Sequence, residues 1–156
     1  MLVDTSVWSL ALRRTEQSRR SEAVELRQLI ADHRVEIIGP IRQEILSGIR
    51  EPSHFEWLEA HLAAFPDAPV RTEDYVTAAK FFNLCRSKGI QGSNTDFLIC
   101  AVAVRNGFAV LTTDKDFPLF AKCLPIALYE VSGGVERRAA PARRAAPRKV
   151  NQRTTV

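Results

Sequence analysis

Hydrophobic and polar residues follow one another along the chain in blocks that predict short strands separated by helices. Mainly apolar runs of strand length cover residues 1–3, 35–38, 109–112 and 126–129. Helical patterns lie between them, and no two-residue hairpin turn joins one run to the next. The predicted fold class is therefore α/β, a three-layer α/β/α sandwich around a mostly parallel central sheet.

The helical patterns cover residues 7–12, 21–32, 40–49, 52–65, 72–88 and 93–106. Pro40 suits the first turn of a helix, where its missing N–H costs nothing, and Thr72 is placed to cap the fifth helix. Gly89 predicts the end of that helix. From Phe97 to Val104 every residue is apolar, so we expect the sixth helix to lie in the centre of the domain.

The composition is typical of a soluble protein with one domain, since 46% of the 156 residues are hydrophobic and 26% are charged. No apolar run approaches about 18 residues, and the first residues lack a signal-peptide pattern, so we expect no membrane segment and a cytoplasmic location. Cys85, Cys100 and Cys123 are scattered and odd in number. They indicate reduced thiols rather than a disulfide framework or a zinc site.

The net charge of +4 is concentrated in the last twenty residues. Residues 137–156 hold seven of the 22 Lys and Arg and no acid, whereas residues 1–136 hold 15 basic and 18 acidic groups and carry −3. We predict a domain over residues 1–132 and a basic, disordered Ala/Pro/Arg-rich tail over residues 133–156. The tail either attracts nucleic-acid phosphates without specificity or is a solvated, dispensable extension.

Four carboxylates have comparable positions relative to the predicted strands. Asp4 ends the first strand, Glu44 lies in the helix after the second, Asp96 lies in the first turn of the central helix, and Asp114 follows the third strand. Because these positions meet at one edge of a parallel sheet, all four can converge on one crevice. Taken singly, each also fits an ordinary cap, turn or surface role.

Taken together, the four acids favour a divalent metal ion. Asp96 lies on a helix that is predicted to be buried, no Lys or Arg is close to it in sequence, and an unpaired buried charge is costly. Several converging carboxylates repel one another, and a cation removes both problems. Oxygen ligands without His or Cys suit Mg²⁺ or Mn²⁺, which in turn suit phosphodiester hydrolysis by activated water. No HExxH, GxSxG, Walker A or GxGxxG pattern offers a rival chemistry.

Four segments, in order and with their spacing, resemble the PIN-domain ribonucleases, and most closely the VapC-type toxins of bacterial toxin–antitoxin modules. They are residues 1–8 (MLVDTSVW), 42–48 (RQEILSG), 94–101 (NTDFLICA) and 111–117 (LTTDKDF), and the resemblance covers about residues 1–130. It implies that Asp4 and Asp96 are the principal metal ligands and that Asp114 and Glu44 are the third and fourth acids of the site. The positions that it implies as auxiliary are Asp116, Thr5, Ser6 and Thr113.

The resemblance also implies a function. The chain would be the toxin of a type II toxin–antitoxin module, an Mg²⁺-dependent endoribonuclease that hydrolyses RNA to a 3′-hydroxyl and a 5′-phosphate. A homodimer and a VapB-type antitoxin, whose C-terminal segment fills the groove, are implied as well. Two alternatives stay open: a structure-specific or DNA-directed nuclease on the same fold, and a non-catalytic binding module of a repressor complex.

Overall fold

A parallel sheet of three short strands forms the centre of the computed structural model, which describes residues 1–12 and 21–131. The strands are β1 (Leu2–Val3), β2 (Ala109–Leu111) and β3 (Ala127–Leu128), in the order β1-β2-β3. Val3 pairs with Leu111, and Val110 pairs with Leu128. The predicted α/β class with a mostly parallel sheet is confirmed. The stretch 13–20 and the tail predicted from residue 133 lie outside the described residues.

Seven helices surround this sheet within the described residues. They are α1 (Thr5–Leu12), α2 (Ser21–Ala31), α3 (Gly39–Ser47), α4 (Pro52–Leu62), α5 (Thr72–Ser87), α6 (Asn94–Asn106) and α7 (Phe117–Phe120). The first six agree with the predicted helices to within three residues at each end. The sequence pattern did not predict α7, because four residues are too few to show a helical period.

The prediction of a strand at residues 35–38 is wrong in part. This segment makes only isolated parallel bridges, between Leu2 and Glu36 and between Ile37 and Asp67. The chain turns into α3 at Gly39, directly after the second bridge, so no continuous ladder forms. Ile37 and Ile38 are nevertheless fully buried, which explains their strand-like apolar pattern.

The start of α5 also differs from the prediction. Arg71, rather than Thr72, is the N-cap residue, and its backbone N–H donates a 2.8 Å hydrogen bond to Asp74 Oδ2. The buried Asp74 carboxylate also accepts from the Arg105 guanidinium, Nε to Oδ1 at 2.6 Å and Nη2 to Oδ2 at 2.9 Å. One carboxylate therefore caps α5 and ties it to the last turn of α6, a task that the Thr72 hydroxyl cannot perform.

Helix α6 is the central helix, as predicted. Every residue from Phe97 to Ala103 is buried, so the helix has no exposed face along that stretch. Gly107 ends α6 in the left-handed region at φ 66°, where a glycine is favoured. The first turn of α6 is thereby held at a fixed place beside the carboxyl end of the sheet, which matters because it carries Asp96.

Candidate active site

The four acids singled out in the sequence line one cleft of about 380 Å³ at the carboxyl end of the sheet. Its lining residues are Asp4, Thr5, Ser6, Ser9, Leu10, Glu44, Asp96, Thr113 and Asp114. The acids come from the end of β1, the middle of α3, the first turn of α6 and the loop after β2. The arrangement follows from the parallel sheet, because strand ends and the starts of the following helices share an edge.

Asp4 is the most deeply placed of these acids, with only 5% of its surface exposed. Ser6 Oγ donates to Asp4 Oδ2 at 2.6 Å, and Thr112 Oγ1 donates to the same oxygen at 2.9 Å. The backbone N–H of Ser6 makes a longer contact with it at 3.4 Å. Within the described part of the chain, every hydrogen bond to this carboxylate ends on Oδ2. Oδ1 is therefore left for an outside ligand.

The same two hydroxyls hold the loop that carries Asp114. The backbone N–H of Thr113 donates to Ser6 Oγ at 3.0 Å, and the backbone N–H of Asp114 donates to Thr112 Oγ1 at 3.0 Å. Each hydroxyl thus donates to Asp4 and accepts from the loop. The network fixes the position of Asp114 relative to Asp4 without using the carboxylate of Asp114.

Asp114 and Asp116 form a local turn. The backbone N–H of Asp116 donates to Asp114 Oδ1 at 2.9 Å, two residues along the chain, as is common for Asp in turns. Asp116 is exposed and is not among the residues that line the cleft; it is the N-cap residue of α7. It contacts the site through its backbone, which orients the Asp114 side chain.

Glu44 is an exposed acid of the cleft and is positioned from across the fold. Thr5 Oγ1, at the start of α1, donates to Glu44 Oε2 at 2.9 Å. The two residues are 39 positions apart in the chain. This bond holds the Glu44 side chain of α3 against the first turn of α1, where it lines the cleft.

Asp96 is part of a capping box at the start of α6. The backbone N–H of Ser93 donates to Asp96 Oδ2 at 2.7 Å, and the backbone N–H of Asp96 donates to Ser93 Oγ at 3.1 Å. Burial raises the pKa of Asp96 above its ordinary value, and the negative charges of Asp4 and Asp114 raise it further, against the Ser93 hydrogen bonds. The capping role is therefore compatible with a place in the charged cluster.

The electrostatics of the cleft call for a cation. Among the described residues, those that line it include four carboxylates and no Lys, Arg or His. In the same part of the chain, no three His, Cys, Asp or Glu side chains lie close enough together to hold a metal ion without moving. The donor set, which is carboxylate oxygen with nearby hydroxyls, fits a hard divalent ion.

A larger groove adjoins the cleft. It has a volume of about 950 Å³ and lies between α1, α3 and α4. Ser9 and Glu44 line both the cleft and the groove, so the two form one continuous depression. Trp57 lines the groove and is 49% exposed, with its ring centroid 4.0 Å from that of His61. The depression therefore combines an acidic end with an exposed aromatic wall.

Two residues of the site were missed by the sequence analysis. Thr112, rather than its neighbour Thr113, gives its hydroxyl to Asp4. Val3 and Leu111 are paired in the sheet, so Asp4 and Thr112, the residues that follow them, lie side by side. The sequence does not show this strand register. Ser9 lines both depressions, and only its place one turn after Thr5 pointed to it.

Comparison with known proteins identifies the family of the chain. Residues 1–122 match the PIN domain family. The chain is similar to VapC ribonuclease Mb1587 of Mycobacterium bovis and to ribonuclease VapC11 of Mycobacterium tuberculosis, each 32% identical over 126 residues. These matches cover 78% of this chain and 92% of each relative.

Solved structures share the fold. FitAcB from Neisseria gonorrhoeae superimposes with a TM-score of 0.67 at 20% identity, covering 83% of this chain and 96% of that one. VapBC2 from Rickettsia felis, bound to a DNA fragment from its promoter, has a TM-score of 0.65 at 16% identity, covering 82% and 96%. From the family match and the relatives in sequence, the chain belongs to the PIN-domain family and, within it, to the VapC ribonucleases.

Proposed function

We propose that this protein is the toxin of a type II toxin–antitoxin module and that it hydrolyses RNA with the carboxylates Asp4, Glu44, Asp96 and Asp114. The observation that carries this proposal is the cleft in which these four acids meet with no basic side chain among its described lining residues. The PIN-domain nucleases are generally dependent on a divalent metal ion, and in this proposal the acid cluster would supply its ligands.

Asp4, Asp96 and Asp114 are the proposed ligands of Mg²⁺, with Mn²⁺ as a substitute. Oxygen ligands favour these ions over zinc, and Asp4 Oδ1 is free of hydrogen bonds from the described residues. The bound ion would activate a water molecule and stabilise the leaving oxygen of a phosphodiester. Glu44, the exposed acid held by Thr5, is the proposed group that orients water at the mouth of the cleft.

The remaining polar residues of the site have positioning roles in this proposal. Ser6 and Thr112 hold Asp4 and the loop after β2 in one arrangement. Thr5 positions Glu44, and Asp116 positions Asp114 through its backbone. Thr113 lines the cleft, and its hydroxyl is the proposed contact to a phosphate oxygen.

The groove beside the cleft is the proposed binding surface for the partners. Its continuity with the cleft at Ser9 and Glu44 lets a single strand of RNA pass from the groove to the acids. A VapB-type antitoxin, whose C-terminal segment occupies this groove, would block that path. The relatives named above are ribonucleases, which supports RNA as the substrate.

We also propose that the protein forms a homodimer and acts in the cytoplasm. Tyr75 and Val76 of α5 are 56% and 51% exposed, and Tyr75 borders a hollow of about 410 Å³ that also contains Pro40 and Phe82. Such exposed apolar side chains suit contact with a second copy. Among the described residues, no helix has the length and apolar character to cross a membrane. The mass in solution, measured by light scattering, tests the dimer.

Cleavage assays test the nuclease proposal against its alternatives. Wild-type protein with Mg²⁺ should cut single-stranded RNA or tRNA and leave DNA of the same sequence intact. Cleavage of DNA alone would support the DNA-directed alternative instead. If Asp4→Asn and Asp96→Asn stop growth as strongly as the wild type does, the protein acts by binding, and the catalytic proposal is wrong.

A further inference from the structure

Two of the three cysteines meet in the folded chain, although they are 38 residues apart in sequence. The Sγ atoms of Cys85 and Cys123 lie 3.2 Å from each other. Both are free thiols in this structure. We propose that they form a site of oxidative modification, at which a peroxide converts the two thiols into an intramolecular disulfide.

The two thiols differ in exposure, which gives them different roles in the proposed reaction. Cys85 lies in the last turn of α5 and is fully buried, and burial raises the pKa of its thiol to about 12. Cys123 follows α7 and is partly exposed. An oxidant from solvent therefore reaches Cys123 first, and Cys85 is the resolving thiol.

The contacts of the segment around Cys123 support its pairing with Cys85. Its sulfur contacts the carbonyl oxygen of Phe120 at 3.4 Å, and Phe120 is fully buried against Phe97 with ring centroids 4.9 Å apart. The α7 segment is thus anchored in the core beside Cys85. The sulfur atoms need to approach each other by about 1.2 Å to reach the disulfide bond length of about 2.05 Å.

The reaction balances in two steps. Cys123 attacks hydrogen peroxide or an alkyl hydroperoxide, which breaks the O–O bond and gives Cys123 sulfenic acid and water or an alcohol. The Cys85 sulfur then attacks the sulfenic sulfur, the S–S bond forms, and the hydroxyl group leaves as water with the Cys85 proton. The peroxide is reduced by two electrons, and the two thiols are oxidised.

Cys100 provides an internal control. It is buried in α6 in the same region of the core, and burial raises the pKa of its thiol as well. Within the described residues, the two cysteine sulfur atoms that lie within hydrogen-bonding distance of each other are those of Cys85 and Cys123. The structure therefore predicts that Cys85 and Cys123 pair and that Cys100 stays reduced.

Peptide mapping of the folded, full-length chain tests the site. Protein purified with reductant is treated with hydrogen peroxide, the remaining thiols are alkylated, and a non-reducing digest is analysed by mass spectrometry. The expected product is one Cys85–Cys123 disulfide with Cys100 alkylated, formed equally in Cys100→Ser and not at all in Cys123→Ser. Three alkylated thiols after peroxide treatment, a bond to Cys100, or a disulfide between two chains would overturn the proposal.

A second readout uses stability. Closing a loop of this length should lower the unfolding equilibrium constant on the order of 100-fold or more. Oxidised wild-type protein should therefore unfold at higher denaturant concentration than the reduced form, and Cys123→Ser should show no such shift. Cys123 is the residue to replace, because its partial exposure makes the variant easier to fold than a variant at buried Cys85. Equal midpoints for oxidised and reduced wild type would contradict the proposal.

Discussion

Thr112 donates a 2.9 Å hydrogen bond to Asp4 across the pair of parallel strands that forms the centre of the fold. The same hydroxyl accepts from the backbone N–H of Asp114. One side chain thus links the acid at the end of β1 to the acid in the loop after β2. Because the hydroxyl contacts both, its removal should disturb the site without removing any acid.

We therefore expect Thr112→Val to lower RNA cleavage by roughly 10- to 100-fold, the range seen when a partner of a metal-binding side chain is lost. Thr112→Ser keeps the hydroxyl and should stay within a few-fold of wild type. Activity is measured on one RNA under single-turnover conditions, with circular dichroism as the check on folding. A Thr112→Val enzyme as active as the serine variant would show that this bond does not position the site.

The buried ion pair between Asp74 and Arg105 should contribute strongly to stability. Its Asp74 carboxyl is 2% exposed, and Asp74→Asn leaves the guanidinium without its charged partner. We expect a loss of about 2 kcal/mol in the free energy of unfolding at pH 7, the range for hydrogen bonds to charged groups. The control is the Arg42–Asp67 pair, whose side chains are 23% and 40% exposed. Asp67→Asn should lower the free energy of unfolding by less than about 1 kcal/mol.

The same pair predicts a pH dependence. The Arg105 hydrogen bond holds the pKa of Asp74 below its usual range. The contribution of the Asp74 carboxylate to stability is therefore complete above the unfolded-state pKa of about 4. It is lost as the pH falls through the lower pKa of the folded state. Urea unfolding at pH 7 and pH 3 should show the gap between wild type and Asp74→Asn shrinking at the lower pH. A constant gap would contradict this assignment.

The packing of α7 depends on a glycine. A Cβ at Gly92 would lie 2.5 Å from Phe120 Cζ and 3.1 Å from Phe97 Cε2, and both rings are buried. Gly92→Ala should destabilise the fold by about 1–3 kcal/mol through overpacking. Gly48→Ala is the matched control, because a Cβ at Gly48 would have a backbone oxygen at 3.6 Å as its nearest neighbour. Equal unfolding midpoints for the two variants would count against this packing.

The groove should be needed for neutralisation by an antitoxin. Trp57 is half exposed on its wall, so Trp57→Ala removes apolar area from the proposed binding surface. We expect at least a tenfold weaker affinity for the antitoxin C-terminal segment, by titration calorimetry. Leu119, which is 39% exposed on α7 and is not among the groove-lining residues, is the control position. An unchanged affinity in Trp57→Ala would place the antitoxin elsewhere.

Much of the fold could be predicted because its signals are local. The apolar run at 97–104 predicted the central helix, and Gly89 and Pro52 marked helix ends that the structure confirms within a few residues. The failures came from contacts between distant residues. Residues 35–38 have a strand pattern since they are buried, but their pairing ends at Gly39, where α3 begins.

The site was predictable in its acids and less so in its hydroxyls. Strand ends and helix starts of a parallel sheet share an edge, so Asp4, Glu44, Asp96 and Asp114 could be assigned to one cleft, and the structure brings them there. Thr112 was missed because only the strand register places it beside Asp4. The Cys85–Cys123 contact depends on how α7 packs, which no pattern in the sequence specifies.

Metal-dependent cleavage of RNA by the wild type and by Asp96→Asn is the most direct measurement of the central claim. Asp96→Asn keeps an oxygen that can accept the Ser93 hydrogen bond and so preserves the helix cap, while it removes one charge from the cluster. We predict that the wild-type protein cuts RNA in the presence of Mg²⁺ and that EDTA abolishes this cleavage. We also predict that folded Asp96→Asn cuts RNA at least 100-fold more slowly than the wild type at every Mg²⁺ concentration. Equal cleavage by the two proteins, or wild-type cleavage that persists in EDTA, would contradict the account.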